Sequence, residues 1–312
     1  MRCGVPKKTT KTSSALVAAL AVVLVSTGCV DDYEPRVICH NSNCQEPANP
    51  EDDSTMETLE ASLELIDEET GRPPIDGMEI DTFWWGAQQR CLVAHDLDRA
   101  GEDEEDPEWA VDATYAVEMI NDVLAARADA GEALTRHADE FTLLIELKGH
   151  VEASKDAAHS PEQLRAHADC GIELGEMAME SADEHGYDVE VIFMSFSPQL
   201  LEAIVDGDDF SALQESDHRV RLSALQGLPR PLDTQTESLD EYGDDIGIDM
   251  ISVHPKWTRD TDRQAIASRD WELSYWSFNL VPEIFDSIKS HQPTYVTTSQ
   301  APSFAAWLRH QN

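Results

Sequence analysis

The chain has 312 residues, with 62 acidic against 22 basic side chains and a formal net charge of −40. A surface of that sign offers no broad basic patch for nucleic acid or an anionic bilayer, so neither is expected as a partner. No internal repeat and no long low-complexity linker interrupts the chain.

The N-terminus reads as an export signal. Arg2, Lys7, Lys8 and Lys11 form a positive region, and residues 15–25 are apolar but too few to span a bilayer. Ser26-Thr27-Gly28-Cys29 resembles a bacterial lipoprotein cleavage box. Gly28 before Cys29 fits, whereas Ser26 stands where an aliphatic residue is usual. The expectation is a signal peptide over 1–28, a mature chain starting at a lipid-bearing Cys29, and a tether over 29–36. That reading anchors the protein in a bacterial cell envelope, at the outer membrane or cell surface. An ordinary cleaved signal would leave it periplasmic or secreted. No other run is apolar and long enough to cross a membrane, so the lipid is the only membrane attachment expected.

The leader holds four of the 22 basic residues and none of the acidic ones, so 18 basic face 62 acidic side chains from Cys29 onward, a net charge of −44. Such self-repulsion suits a saline environment. The melting temperature is expected to rise from low to molar salt; a flat profile would contradict this. Four cysteines follow Cys29: Cys39, Cys44, Cys91 and Cys170. An even number in an exported chain favours disulfides. Cys39 with Cys44 and Cys91 with Cys170 is one of three connectivities, and buried free thiols are the alternative.

From Val37 the chain alternates. Strands are predicted over 36–40, 78–82, 91–95, 142–147, 189–195, 219–224, 248–253, 272–277 and 294–298. Helices are predicted over 54–66, 108–128, 131–139, 161–185, 198–205, 262–268 and 281–289. Ser160-Pro161 and Ser197-Pro198 place serine at the cap and proline at the first helical position. The acidic runs 101–107 and 206–209 read as solvated loops. Alternation of this kind implies a parallel sheet covered by helices. The run 91–95 follows 78–82 with no room for a helix and reads as the return of an extension. Eight strands remain, enough for a single-domain (β/α)8 TIM barrel over 37–312, a fold for which about 250 residues suffice.

Five of the strand-like runs end in groups able to do phosphate chemistry, at the strand ends where barrel active sites lie. Glu79 and Asp81, two apart on a strand, point the same way. Two carboxylates so placed repel, and a hard cation that prefers oxygen ligands relieves the repulsion. Glu146, ending the next barrel strand, completes the set. His40 and His95 occupy matching places after apolar runs, and an imidazole pair suits proton removal and proton delivery near neutral pH. Lys148 adds positive charge for phosphoryl oxygens.

These motifs, in this order, resemble the glycerophosphodiester phosphodiesterases of the phospholipase-C-like phosphodiesterase superfamily. The family pattern runs His-Arg-Gly, Pro-Glu-Asn-Thr, Glu-x-Asp, His-Asp, Glu-x-Lys, Ser-Phe, Trp-Thr-x-Asn and Thr-Asp. Here it reads His40-Asn41-Ser42, Pro50-Glu51-Asp52-Asp53-Ser54-Thr55, Glu79-Ile80-Asp81, His95-Asp96, Glu146-Leu147-Lys148, Ser195-Phe196, Trp276-Ser277-Phe278-Asn279 and Thr297-Thr298. The resemblance implies a (β/α)8 barrel and one divalent cation, Ca²⁺ or Mg²⁺, on Glu79, Asp81 and Glu146. It further implies His40 and His95 as the acid–base pair, Lys148 on the phosphate and Trp276 against the substrate. Asn41 replaces the family arginine. His-Asn is instead similar to phosphatidylinositol-specific phospholipases C, which makes Asn41 a candidate fourth metal ligand. The stretch 97–141 is short, acidic and helical where the family carries an insert, and the closing Thr-Asp reads Thr-Thr.

The expected function is therefore metal-dependent hydrolysis of a small-molecule or lipid phosphodiester, releasing glycerol phosphate and an alcohol. Alternatives are a phospholipase C acting on inositol or other phospholipids, and a non-catalytic surface lipoprotein that keeps the barrel as a binding module.

Overall fold

The structure, a computed structural model, describes residues 33–48, 53–86, 89–93, 111–137, 140–148, 160–226, 243, 246–276 and 282–311. Its strands are β1 (Arg36–Cys39), β2 (Gly77–Trp85), β3 (Arg90–Val93), β4 (Val111–Asp112), β5 (Glu140–Leu147), β6 (Asp188–Ser195), β7 (Arg219–Gln226), β8 (Met250–Val253), β9 (Glu272–Tyr275) and β10 (Tyr295–Thr298). Eight of them pair in parallel in the order β1-β2-β5-β6-β7-β8-β9-β10. Pairing of β10 with β1 closes the ring. β3 returns antiparallel along the far end of β2, and β4 pairs with β3. The helices are α1 (Met56–Leu63), α2 (Ala113–Ala130), α3 (Pro161–His185), α4 (Pro198–Val205), α5 (Asp208–Gln214), α6 (Asp260–Ala267), α7 (Pro282–His291) and α8 (Ala301–Arg309). This is the (β/α)8 barrel with the β3 extension that the sequence predicts.

Local chemistry accounts for the elements. β5 and β6 are buried almost throughout, as strands covered on both faces must be. α3 opens on a capping box: the Ser160 hydroxyl accepts from the Gln163 N–H, and the Ser160 N–H donates to Gln163 Oε1. Gly186, with φ 69°, ends it in the left-handed conformation. A side chain at Gly77 would overlap the Thr142 carbonyl and Cβ, so only glycine lets β2 approach β5 this closely. Disulfides join Cys39 to Cys44 and Cys91 to Cys170, with Cα separations of 5.5 and 6.2 Å. The second ties β3 to α3.

Strand alternation stacks side chains in layers. Arg36 and Ile38 on β1, with His40 just past its end, follow one another at intervals of two, as do Glu190, Ile192 and Met194 on β6. The middle layer is apolar, with Ile38, Leu144, Ile192, Met194, Leu225 and Met250 packed together. The N-terminal layer is polar and centred on Glu190, which is fully buried. The Tyr295 hydroxyl lies 2.7 and 2.8 Å from its two oxygens, Arg36 at 3.4 Å and Arg221 at 3.6 Å. Removing one partner of a buried ionic network strands the others. Glu190→Ala is expected to destabilise the fold by about 3–5 kcal/mol in urea unfolding. A loss under about 1 kcal/mol would show the network to be dispensable.

Three predicted segments are corrected, and one helix was missed. Residues 111–112, expected to be helical, form β4. Residues 131–137 are turns and bends, not the start of a helix. Gly131, left-handed at φ 66°, ends α2. The Arg136 N–H then donates to the Ile75 carbonyl and the His137 N–H to Asp76, so this backbone braces the entry to β2. The run 206–209 is only half loop: Gly207 precedes α5, which starts at Asp208 and buries Phe210 and Leu213. Acidic residues at a helix N-terminus suit its dipole. α8 was not predicted; it buries Phe304, Ala305 and Leu308 on one face.

Candidate active site

Glu79 and Asp81 face the same way in the first half of β2, close to where its parallel pairing with β5 stops at Thr82. Asp81 is in register with Glu146 on β5, so the pairing itself brings the third carboxylate alongside. One oxygen from each of Glu79, Asp81 and Glu146 lies within 4.8 Å of the others, and all three residues are buried. Among the described residues this is the only such group of three or more metal-ligating side chains. Lys148, two residues beyond Glu146, sets its Nζ 2.8 Å from Glu146 and 3.2 Å from Asp81.

Burial is the main force on these charges. It drives Glu79 well above the ordinary carboxyl range, helped by Asp81 and Glu146. It raises Asp81 against the pull of Lys148, and pushes Glu146 up to about 7. For Lys148 burial acts downward, but Asp81 and Glu146 outweigh it and hold the ammonium above its usual range.

His40 starts a one-turn 3-10 helix (His40–Ser42) directly after β1. Its Nδ1 lies 3.1 Å from the Ser299 hydroxyl and its Nε2 3.8 Å from Glu79. Asn41 and Ser42 both take the left-handed conformation, with φ of 49° and 56°. Asparagine adopts it more readily than most residues. The Asn41 N–H donates to Glu79 and the Ser42 hydroxyl to the Glu79 carbonyl. Asp53 accepts from the side-chain amides of both Asn41 and Asn43. The turn is thus fastened to the carboxylate-bearing strand β2 on one side, while the Cys39–Cys44 disulfide closes around it.

The site residues fit a divalent cation. Three carboxylates and one ammonium leave two uncompensated negative charges when ionised, and oxygen ligands suit a hard cation. The Asn41 Oδ1 is buried and has no hydrogen-bond partner, as expected of an oxygen held for a metal.

Trp276 follows β9 and packs, half-buried, against the apolar layer. Its ring meets Phe196 and His254 edge-on, at 5.7 and 5.6 Å. His95 and Cys29 lie outside the described residues, as do residues 49–52 of the Pro-Glu-Asp-Asp stretch and 97–110 of the acidic segment. The structure therefore brings together His40, Asn41, Glu79, Asp81, Glu146 and Lys148. Sequence reasoning missed Ser299, which orients His40, and the Thr82–His167 pair. Thr82 donates to the Glu146 carbonyl, and buried His167 on α3 lies 3.2 Å from the Thr82 hydroxyl, bracing the strands from behind. Ser299 directly follows the Thr297-Thr298 motif, the one signal that could have pointed to it.

No protein-family model matches the chain, and no curated protein is detectably similar to it. Solved structures are similar in fold. A glycerophosphodiester phosphodiesterase from Parabacteroides distasonis superposes with a TM-score of 0.57 at 15% identity, over 89% of this chain and 97% of that one. An Oleispira antarctica phosphodiesterase in complex with its product sn-glycerol-3-phosphate gives 0.57 at 12% identity, over 88% and 97%. A glycerophosphodiester phosphodiesterase from Agrobacterium tumefaciens gives 0.50 at 15%, over 88% and 100%. At these identities the likeness establishes the barrel. It falls on the same group of proteins as the motif resemblance.

Proposed function

We propose that the protein is a metal-dependent phosphodiesterase that hydrolyses a glycerophosphodiester to glycerol phosphate and an alcohol. The observation that carries this reading is the convergence of three buried carboxylates, Lys148 and His40 at one end of the barrel. The similar phosphodiesterase structures support it, one of them in complex with its product sn-glycerol-3-phosphate.

Glu79, Asp81 and Glu146, with Asn41 as a fourth oxygen donor, would hold Ca²⁺ or Mg²⁺. When bound, the cation supplies Lewis-acid polarisation of a phosphoryl oxygen. Lys148 faces the same oxygens and offsets the charge that grows on them. Ser299 holds the His40 ring so that Nε2 faces the carboxylate cluster, where it can take or give a proton. His95, which ends the corresponding run in the sequence, is its partner in the acid–base pair. Trp276 lines the substrate's path.

Asn41 in place of arginine favours a second reading, a phospholipase C on inositol lipids. The products separate the two: glycerol 3-phosphate supports the glycerophosphodiester reading, and diacylglycerol supports the other. The leader supports an exported protein anchored through Cys29; labelled lipid that remains attached to Cys29→Ser would refute the anchor. No helix among the described residues is long and apolar enough to cross a membrane.

A further inference from the structure

The row of rings that starts at Trp276 continues outward. Trp276 meets His254 edge-on, and His254 lies 6.4 Å from Trp257 across a short 3-10 turn (Pro255–Trp257) that follows β8. The Lys256 N–H donates to His254 Nδ1, which fixes the turn to the ring. Trp257 is 45% exposed and Phe196, on the other side of Trp276, 40% exposed. The Lys256 ammonium lies 4.9 Å from the centre of the Trp257 ring. An aromatic wall thus runs from the barrel interior to the rim and ends in a cation.

Lys256 is one of 22 basic residues in a chain of net charge −40. Arg36, Arg136, Arg219, Arg221 and Arg309 are each held by a carboxylate. Lys256 is exposed and forms no ion pair among the described residues. Burial, and then Lys256 itself, lower the His254 pKa, which disfavours a second positive charge beside the ammonium.

We propose that Lys256 and Trp257 form a subsite for the alcohol half of the diester, selecting an uncharged or anionic polyol over a quaternary ammonium alcohol. The inference rests on the phosphodiesterase reading. An aromatic wall alone would welcome a quaternary ammonium. Here the ring already carries an ammonium, and a second positive charge about 5 Å away meets repulsion equivalent to roughly tenfold in affinity. A polyol ring can lie along Trp257 and accept hydrogen bonds from the ammonium, as can an anionic group.

The test compares kcat/KM for glycerophosphoinositol and glycerophosphocholine in the wild type, Lys256→Glu and Trp257→Ala. The wild type should favour the inositol diester about tenfold. In Lys256→Glu the preference should vanish or invert, because turnover of the inositol diester falls and that of the choline diester rises. Trp257→Ala should raise KM for the inositol diester. The same ratio in the wild type and Lys256→Glu, with both active, would overturn the subsite and leave the phosphodiesterase reading intact. A wild type that hydrolyses neither diester would overturn both.

Discussion

Replacing Glu79 with glutamine is expected to weaken divalent-cation binding at least about 100-fold, while making the cation-free protein more stable. Changes to groups that merely orient a metal ligand cost about 10–100-fold, so loss of a ligand charge should cost no less. The gain in stability follows from the same geometry. Glu79 is buried beside Asp81 and Glu146, and without a cation its charge is unfavourable there. Calorimetric titration with Ca²⁺ and Mg²⁺ reads the first effect, and urea unfolding in EDTA reads the second. An unchanged titration would remove Glu79 from the metal site.

The same cluster sets a pH dependence for the cation-free protein. Glu146 is pushed up to about 7, above the ordinary carboxyl value of 4.5. Below that ordinary value it is protonated both folded and unfolded. As pH rises toward about 7 the unfolded chain releases the proton first, so stability falls through this window. The contribution is on the order of 3 kcal/mol, complete only above the folded-state value. Saturating cation should flatten the decline, since the ligands then ionise in the folded state too. Unfolding midpoints in EDTA that do not fall between pH 5 and 7.5 would contradict this picture of the site.

His40→Ala is expected to lower kcat by about 10²–10⁴-fold while cation affinity is retained. The ring is oriented by Ser299 and lies 3.8 Å from Glu79 without belonging to the three-carboxylate group. Its loss should therefore remove a proton-transfer step and leave the cation ligands in place. The same expectation attaches to His95 from its place in the motif order. Full activity in His40→Ala would exclude it from the chemistry. A parallel loss of cation binding would make it a ligand instead.

The parts of the site carried by strand periodicity could be read before the fold was known. Glu79 and Asp81 share a face because they are two apart. The ends of β1, β2 and β5 converge because a parallel barrel places like ends together. The parts that depend on tertiary register could not. Nothing local ties Ser299 to His40 or His167 to Thr82; those pairs form only when β10 closes on β1 and α3 packs behind β2. Asn41 could be flagged from its place after His40, but its left-handed backbone and buried, unpartnered oxygen come from the turn held between β1 and Glu79. Likewise 131–137 had helical composition, and the tie from its backbone to Asp76 decided otherwise.

The most direct test of the central claim is hydrolysis of glycerophosphocholine, glycerophosphoinositol and phosphatidylinositol by the chain from Val30, with Ca²⁺, Mg²⁺ or EDTA. The account predicts cation-dependent release of glycerol 3-phosphate from the soluble diesters and none in EDTA. A folded protein that binds the cation and cleaves none of the three would contradict it.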